Sequence, residues 1–252
     1  MGKKMTEGIA YIISNNEDRK HRQVFEDLCN KSIGYARRLG LPIVVLCPEP
    51  NNRINADEII DAAPYVEKYG KNGDTHGLIL AELMKTHICE WSPFDRTLYI
   101  DCDAFIMHKS ARDYLDILEL GYKMSLSTCV TMAWKDSIME TSVGKRIMKS
   151  VPNCFPYWNF GVFGSSKNSE EMLKIIREEY LKYCFSGWSS FGSCPHAQPA
   201  VVMAAYRESP NHGIFTMPAR FNCHFAAAGG YAYTGSPVVL HLWKDMRSLM
   251  LK

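Results

Sequence analysis

Apolar residues in this chain come in short blocks whose period changes along the sequence. Gly8-Ile9-Ala10-Tyr11-Ile12-Ile13 is continuously apolar and opens into polar Ser14-Asn15-Asn16, which predicts a buried strand running into a loop. From Asp18 to Leu39 the apolar positions Val24, Leu28, Ile33 and Leu39 fall at roughly helical spacing, with Gly40 as the stop. Pro42 to Cys47 predicts a second strand, closed by Pro48 and Pro50. Residues 51–74 are polar and irregular, with a short helix expected near Ala56–Ala62. Gly77–Trp91 reads as one amphipathic helix, and Leu98–Ile100 as a third buried strand. Strand, helix, strand, helix, strand is the order of a parallel sheet covered on its faces.

The second half is less regular. Helices are expected over Ala111–Leu120, Glu170–Tyr183 and Gln198–Arg207. Strands are expected over Met124–Met132, Tyr157–Gly164 and Val238–Leu240, the last ending at His241. No Pro/Gly/Ser-rich linker and no internal repeat divides the 252 residues, so a single domain is expected.

Composition narrows the function classes. A net charge of +2 gives no electrostatic case for nucleic acid. The 9 cysteines are odd in number and contain no Cys-x-x-Cys, which predicts free thiols in a reducing compartment rather than a disulfide framework. Ile9–Ile13 is too short for the core of a signal peptide, and no run approaches the roughly 20 apolar residues of a membrane span. The expectation is a soluble, cytoplasmic chain with no transmembrane segment.

The candidate chemistry lies directly after the third strand. Leu98-Tyr99-Ile100 ends in Asp101-Cys102-Asp103, two carboxylates separated by one residue. Ligands of open α/β sheets gather at the carboxyl ends of strands. An extended Asp-x-Asp there can send two hard oxygens toward Mn²⁺ or Mg²⁺, and such a cation typically holds a diphosphate. Two solvated turn carboxylates are the plain alternative.

The run from Lys85 to Asp103, with its lysine, its Ser92-Pro93-Phe94-Asp95 turn and its Asp-x-Asp, resembles the metal-dependent GT-A glycosyltransferases. It looks most like their family 8 branch, which includes glycogenin and the bacterial lipopolysaccharide galactosyltransferases. Asn159-Phe160-Gly161-Val162 is similar to that branch's "FNaGv" strand, Gln198 to the glutamine of its "DQ" helix start, and His241 to the histidine that completes its metal site. There are departures. Ala197 stands where the "DQ" aspartate would be, and His241 is followed by Leu242-Trp243-Lys244 rather than by a glycine.

The resemblance implies an α/β fold, a GT-A-like single-domain α/β/α sandwich with a mostly parallel central sheet. A nucleotide-sugar-binding half would cover about 1–110, and an acceptor and metal-completing half about 111–252. It implies transfer of a sugar from a nucleotide sugar, a UDP-sugar above all, to a hydroxyl of a sugar or protein acceptor, with retention. Asp101, Asp103 and His241 would hold Mn²⁺ or Mg²⁺. Asp101 is alternatively a ribose contact. Asn159 would hydrogen-bond a sugar hydroxyl, and Gln198 would lie near the anomeric carbon. Tyr11, Ser14 and Asn15, where the first strand closes, would meet base and ribose. Lys85, Lys244 and Arg247 would meet the diphosphate, and Cys102, in the same turn as the carboxylates, is counted with the donor-binding residues.

Blander alternatives stand beside these. Tyr11 is equally a core residue, and Lys85 a helix-surface lysine. Trp158, Trp188 and Trp243 form either a sugar platform or core. Cys194, His196, Cys223 and His224 match no common zinc spacing. Gly229-Gly230 and Gly235 mark either a lid or ordinary turns, and Asp136 and Glu140 are candidate bases for an inverting route. Two other functions fit an Asp-x-Asp: a catalytically inactive sugar-nucleotide-binding protein, and a haloacid-dehalogenase-type phosphohydrolase, whose motif usually lies nearer the start of the chain.

Overall fold

The computed structural model describes residues 6–13, 19–47, 53–69, 77–128, 156–184, 197–225 and 236–242. The first apolar block forms β1 (Glu7–Ile12), whose residues after Glu7 are all buried. It pairs in parallel with β2 (Ile43–Cys47) and with β4 (Arg96–Ile100). β3 (Glu58–Asp61) extends the sheet beyond β2. On the other side of β4 lie β7 (Trp158–Ser166), β6 (Met124–Thr128) and β8 (Ile214–Met217), giving the order β3-β2-β1-β4-β7-β6-β8. β7 runs antiparallel to both its neighbours, while the other pairings are parallel. The sheet is therefore mostly parallel.

Alternation along the strands divides the core into two layers. Ile9, Tyr11, Val45, Leu98 and Ile100 face one side, with Cys29, Ile33 and Ala36 of α1 (Arg19–Ala36) and Tyr114, Leu115 and Leu118 of α5 (Asp113–Glu119). Ala10, Ile12, Val44, Leu46 and Tyr99 face the other. There they meet Leu80, Leu83 and Met84 of α3 (Gly77–Lys85), Met172 and Ile176 of α6 (Glu170–Cys184), and Val201 of α7 (Gln198–Arg207). This is the three-layer α/β/α arrangement that the resemblance implies, built on the face-covered sheet that the alternation of strands and helices predicts. A second, small sheet has the order β5-β10-β9, built from β5 (Ala104–Ile106), β10 (Val239–Leu242) and β9 (Cys223–Phe225).

Several local expectations change. After Ala36 the first helix tightens into a 3-10 turn over Arg37–Leu39 and stops at Gly40, whose φ of 67° is left-handed as a helix stop requires. No helix spans Ala56–Ala62. Glu58–Asp61 is a strand there, and the helix, α2 (Ala63–Tyr69), starts only where the Asp61 carboxylate accepts from Ala63 N at 2.8 Å. Gly77–Trp91 is two helices. The Thr86 hydroxyl donates back to Leu83 O at 2.6 Å, the chain turns through His87, and α4 (Ile88–Trp91) follows. The last strand runs Val239–Leu242, so His241 lies inside β10 rather than at its end.

His87 pins this break. Its Nδ1 is 2.5 Å from Glu90 Oε1, its Nε2 is 2.5 Å from the Tyr69 hydroxyl, and Arg177 of α6 reaches Glu90 at 3.1 Å. Arg177 Nη1 also lies 2.9 Å from Nδ1 and 3.2 Å from Nε2. A neutral ring protonated at Nδ1 donates to Glu90 and leaves Nε2 to accept from the Tyr69 hydroxyl, while Arg177 donates to the Glu90 carboxylate. Burial, then the Arg177 cation, push its pKa down from 6.5 to about 4, outweighing Glu90. An unfolded chain takes up this proton below about pH 6.5, whereas the folded chain resists until about pH 4. The stabilisation is thus whole above pH 6.5 and is lost as the pH falls toward 4. Thermal melts at pH 7 and pH 5 should show a loss on the order of 2 kcal/mol that His87→Gln largely removes. An equal pH dependence in parent and variant would contradict this role.

Candidate metal and donor site

β4 and β5 belong to different sheets, and Asp101-Cys102-Asp103 is the turn between them. Three backbone hydrogen bonds fix it. Asp101 N donates to Gly161 O on β7 at 2.8 Å, Ala104 N donates to Asp101 O at 2.9 Å, and Leu242 N on β10 donates to Asp103 O at 2.9 Å. The turn therefore carries its carboxylates to a place where β7 and β10 meet.

There His241 Nε2 lies 3.1 Å from Asp103 Oδ1 and 3.9 Å from Asp101 Oδ2. One ligand atom from each of the three residues lies within 4.8 Å of the others. Asp103 and His241 are buried, and Asp101 is half-buried. Gly161 makes the room, because a Cβ on it would stand 2.5 Å from both Asp101 Oδ2 and His241 Cε1. Two hard carboxylate oxygens with one imidazole nitrogen suit a divalent cation, and the imidazole favours Mn²⁺ over Mg²⁺. The residues present fit the metal that the sequence resemblance implies.

The remaining contacts hold these ligands in place. Asp101 Oδ1 accepts from the Tyr99 hydroxyl at 2.7 Å and pairs with Lys85 Nζ at 3.0 Å. Lys85 also pairs with Glu82 Oε1 at 3.0 Å, and Glu82 Oε2 accepts from Ala197 N at 3.3 Å, just before α7. Burial works against the Lys85 ammonium, but the charges of Asp101 and Glu82 outweigh it and raise its pKa. Burial raises the Glu82 pKa, Asp101 adds to the rise, and Lys85 opposes it. On the opposite side, His241 Nδ1 is 3.0 Å from Asn222 Oδ1, and Asn222 Nδ2 donates to Asn159 Oδ1 at 2.6 Å. Gly161 N donates to the same Asn159 oxygen at 2.7 Å.

The structure thus brings together Asp101, Asp103, His241, Lys85 and Asn159. Lys85 is no helix-surface lysine, since it is buried in a paired network. Gln198 opens α7 beside Ala197, and its Oε1 is buried with no hydrogen-bond partner among the described residues. Tyr11 is not brought to the site. It is fully buried on the α1 side, and its hydroxyl pairs with Ser32 Oγ at 2.9 Å, so strand alternation sends it into the core. Cys102 is also directed inward, its thiol donating to Ile12 O at 3.3 Å. Trp158 is fully buried and donates to Thr216 Oγ1, which makes it core rather than a sugar platform.

Ser14, Asn15, Lys244, Arg247, Trp188 and Trp243 lie outside the described residues, as do Asp136, Glu140, Gly229, Gly230, Gly235, Cys194 and His196. Tyr99, Glu82 and Asn222 are additions to the sequence reading. Tyr99 was within reach of it, since a residue two before Asp101 shares its strand face.

No protein-family model matches the sequence, and neither does any curated protein. The fold does match solved structures. Mouse xyloside xylosyltransferase 1, in its apo form, superposes with a TM-score of 0.60 at 8% identity, covering 94% of this chain and 97% of that one. The galactosyltransferase LgtC, in complex with donor and acceptor sugar analogs, gives 0.54 at 12% identity, covering 94% and 87%. A glycosyltransferase involved in glycosylating the major capsid of PBCV-1 gives 0.53 at 12% identity, covering 97% and 96%. Matches that span nearly the whole of each chain show that the protein has the GT-A glycosyltransferase fold.

Proposed function

We propose that this chain, taken as one domain over 1–252, is a metal-dependent glycosyltransferase that moves a sugar from a nucleotide sugar to an acceptor hydroxyl. The observation that carries the reading is the convergence of Asp101, Asp103 and His241 over the bare backbone of Gly161. These three would hold a divalent cation, which when bound would supply Lewis-acid neutralisation of the departing diphosphate. Lys85, held between Glu82 and Asp101, fixes the orientation of one metal carboxylate and brings positive charge to the diphosphate side. Asn159, on the strand that flanks the candidate metal site, and Gln198, whose buried oxygen has no partner among the described residues, are the groups for orienting the donor sugar. Lys244 and Arg247 follow β10 closely in sequence and are assigned to the phosphates.

UDP as the nucleotide and retention of configuration rest on the family 8 likeness of Asn159-Phe160-Gly161-Val162 and Gln198. LgtC, with its donor and acceptor sugar analogs, offers a precedent for a ternary site on this fold. Cys29, Cys47, Cys89, Cys102 and Cys223 are free thiols, which supports a cytoplasmic setting. No helix among the described residues is long and apolar enough to cross a membrane.

One observation favours a second reading, a sugar-nucleotide-binding protein without turnover: Ala197 stands where the resembled family carries an aspartate. The phosphohydrolase reading draws no support from a fold matched by glycosyltransferases.

Calorimetric titration of UDP, with and without Mn²⁺, tests the proposal. Metal-dependent binding followed by turnover of a UDP-sugar is the expected result. Binding without turnover of any nucleotide sugar would favour the second reading. No binding of UDP, GDP or CDP under either condition would overturn both.

A further inference from the structure

We infer that Asn222 is a positioning residue that fixes the tautomer of His241 and so aims its Nε2 lone pair at the cation site. The inference deepens the metal reading above and rests on it.

The argument starts at a backbone amide. Gly161 N–H can only donate, and it lies 2.7 Å from the terminal side-chain atom of Asn159, which must therefore be the oxygen. Asn222 meets that same oxygen at 2.6 Å, so the Asn222 atom there must be its NH₂. The Asn222 oxygen then faces His241 Nδ1 at 3.0 Å, and an oxygen acceptor calls for a proton on Nδ1. With Nδ1 keeping its proton on this contact, Nε2 is the nitrogen left to give its lone pair to a cation, in place of the proton that a carboxylate oxygen otherwise draws there. Nε2 is the nitrogen that lies 3.1 Å from Asp103 Oδ1 and 3.9 Å from Asp101 Oδ2. Asn222 is 0% exposed, so bulk water does not compete for its amide.

Position in the fold adds to the argument. Asn222 closes the 3-10 turn Ala219–Asn222 that feeds β9, and β9 pairs in parallel with β10, which carries His241. One relay thus runs from the β7 backbone through Asn159 and Asn222 to a metal ligand. The strand resembling the sugar-binding segment and the histidine of the metal site are oriented by one hydrogen-bond chain.

The test compares Asn222→Asp with Asn222→Leu in the full chain. Asp keeps an oxygen acceptor for the Nδ1 proton. Leu keeps approximate volume and offers none. Mn²⁺ affinity is read by electron paramagnetic resonance without any donor, fold by thermal melts in EDTA, and the His241 tautomer by imidazole nitrogen-15 shifts of the metal-free chain. Asn222→Leu is expected to weaken Mn²⁺ binding roughly 10- to 100-fold, and Asn222→Asp by much less. Melting temperatures should rank the other way, because a buried carboxylate against the Asn159 oxygen is more disruptive than leucine. The nitrogen-15 signature of a protonated Nδ1 should be present in the parent and lost in Asn222→Leu.

The inference is overturned if Asn222→Leu binds Mn²⁺ like the parent, if Mn²⁺ affinities follow the melting order, or if Nδ1 of His241 carries no proton in the parent. A parent that binds no Mn²⁺ overturns the metal site itself, and the nitrogen-15 shifts then support or overturn the tautomer on their own.

Discussion

Asp103→Ala is expected to abolish Mn²⁺-dependent binding of UDP and to lower sugar transfer by roughly a thousandfold or more. Asp103 is the buried carboxylate of the pair, and its oxygen lies nearest the His241 ring nitrogen. Without it, one half-buried carboxylate and one imidazole remain, too few protein ligands to hold a hard cation firmly at micromolar metal. The backbone carbonyl that accepts from Leu242 N survives in the variant, so β10 keeps its anchor to the turn. The fold should therefore persist, as circular dichroism in EDTA would check. Asp103→Asn, which keeps the side-chain shape, should lose most of the same binding. Turnover retained in either variant would refute the metal role.

Gly161→Ala should be nearly as damaging, although it removes no functional group. The added methyl would sit 2.5 Å from one carboxylate oxygen and from one imidazole carbon, far inside van der Waals contact. Gly161 cannot retreat readily, because its carbonyl accepts from Asp101 N and its own N–H is held by Asn159. The ligands must be pushed apart instead. Mn²⁺ affinity is expected to fall by about a hundredfold or more, with secondary structure retained. Gly34→Ala is the control. A Cβ there meets nothing within 4 Å in the middle of α1, and it should leave metal binding unchanged while stabilising the helix by about 0.5–1 kcal/mol. Parent-like Mn²⁺ affinity in Gly161→Ala would show that the site does not need the bare backbone.

The sheet was legible in the sequence where strands are buried on both faces, because β1, β2 and β4 appear as continuous apolar runs. β3 escaped because it is a short edge strand with two carboxylates flanking Ile59-Ile60, and two apolar residues in polar surroundings carry no strand period. The break between α3 and α4 escaped for the opposite reason. Met84, Ile88 and Trp91 keep helical spacing straight through it, so period alone reports one helix where the Thr86 side chain has already ended it.

Within the candidate site, the carboxylates of Asp101 and Asp103 follow from the residue pattern alone, whereas His241 needed the family likeness. Glu82 was illegible because a glutamate in an amphipathic helix normally marks the solvent face, and here it is buried against Lys85. Asn222 gave no signal, since its role depends on hydrogen-bond partners on two distant strands, β7 and β10.

The Asp101–Asp103 turn leaves the large sheet and enters the small one within three residues, and β10 must dock beside β5 before His241 reaches it. Completing the three-residue cluster is thus reserved for chains that have finished their long-range assembly. A nascent or misassembled chain can display both aspartates and still lack the third ligand. If the proposed function holds, such a species would draw neither metal nor nucleotide sugar from the cell, and the fold would act as the quality check on its own chemistry.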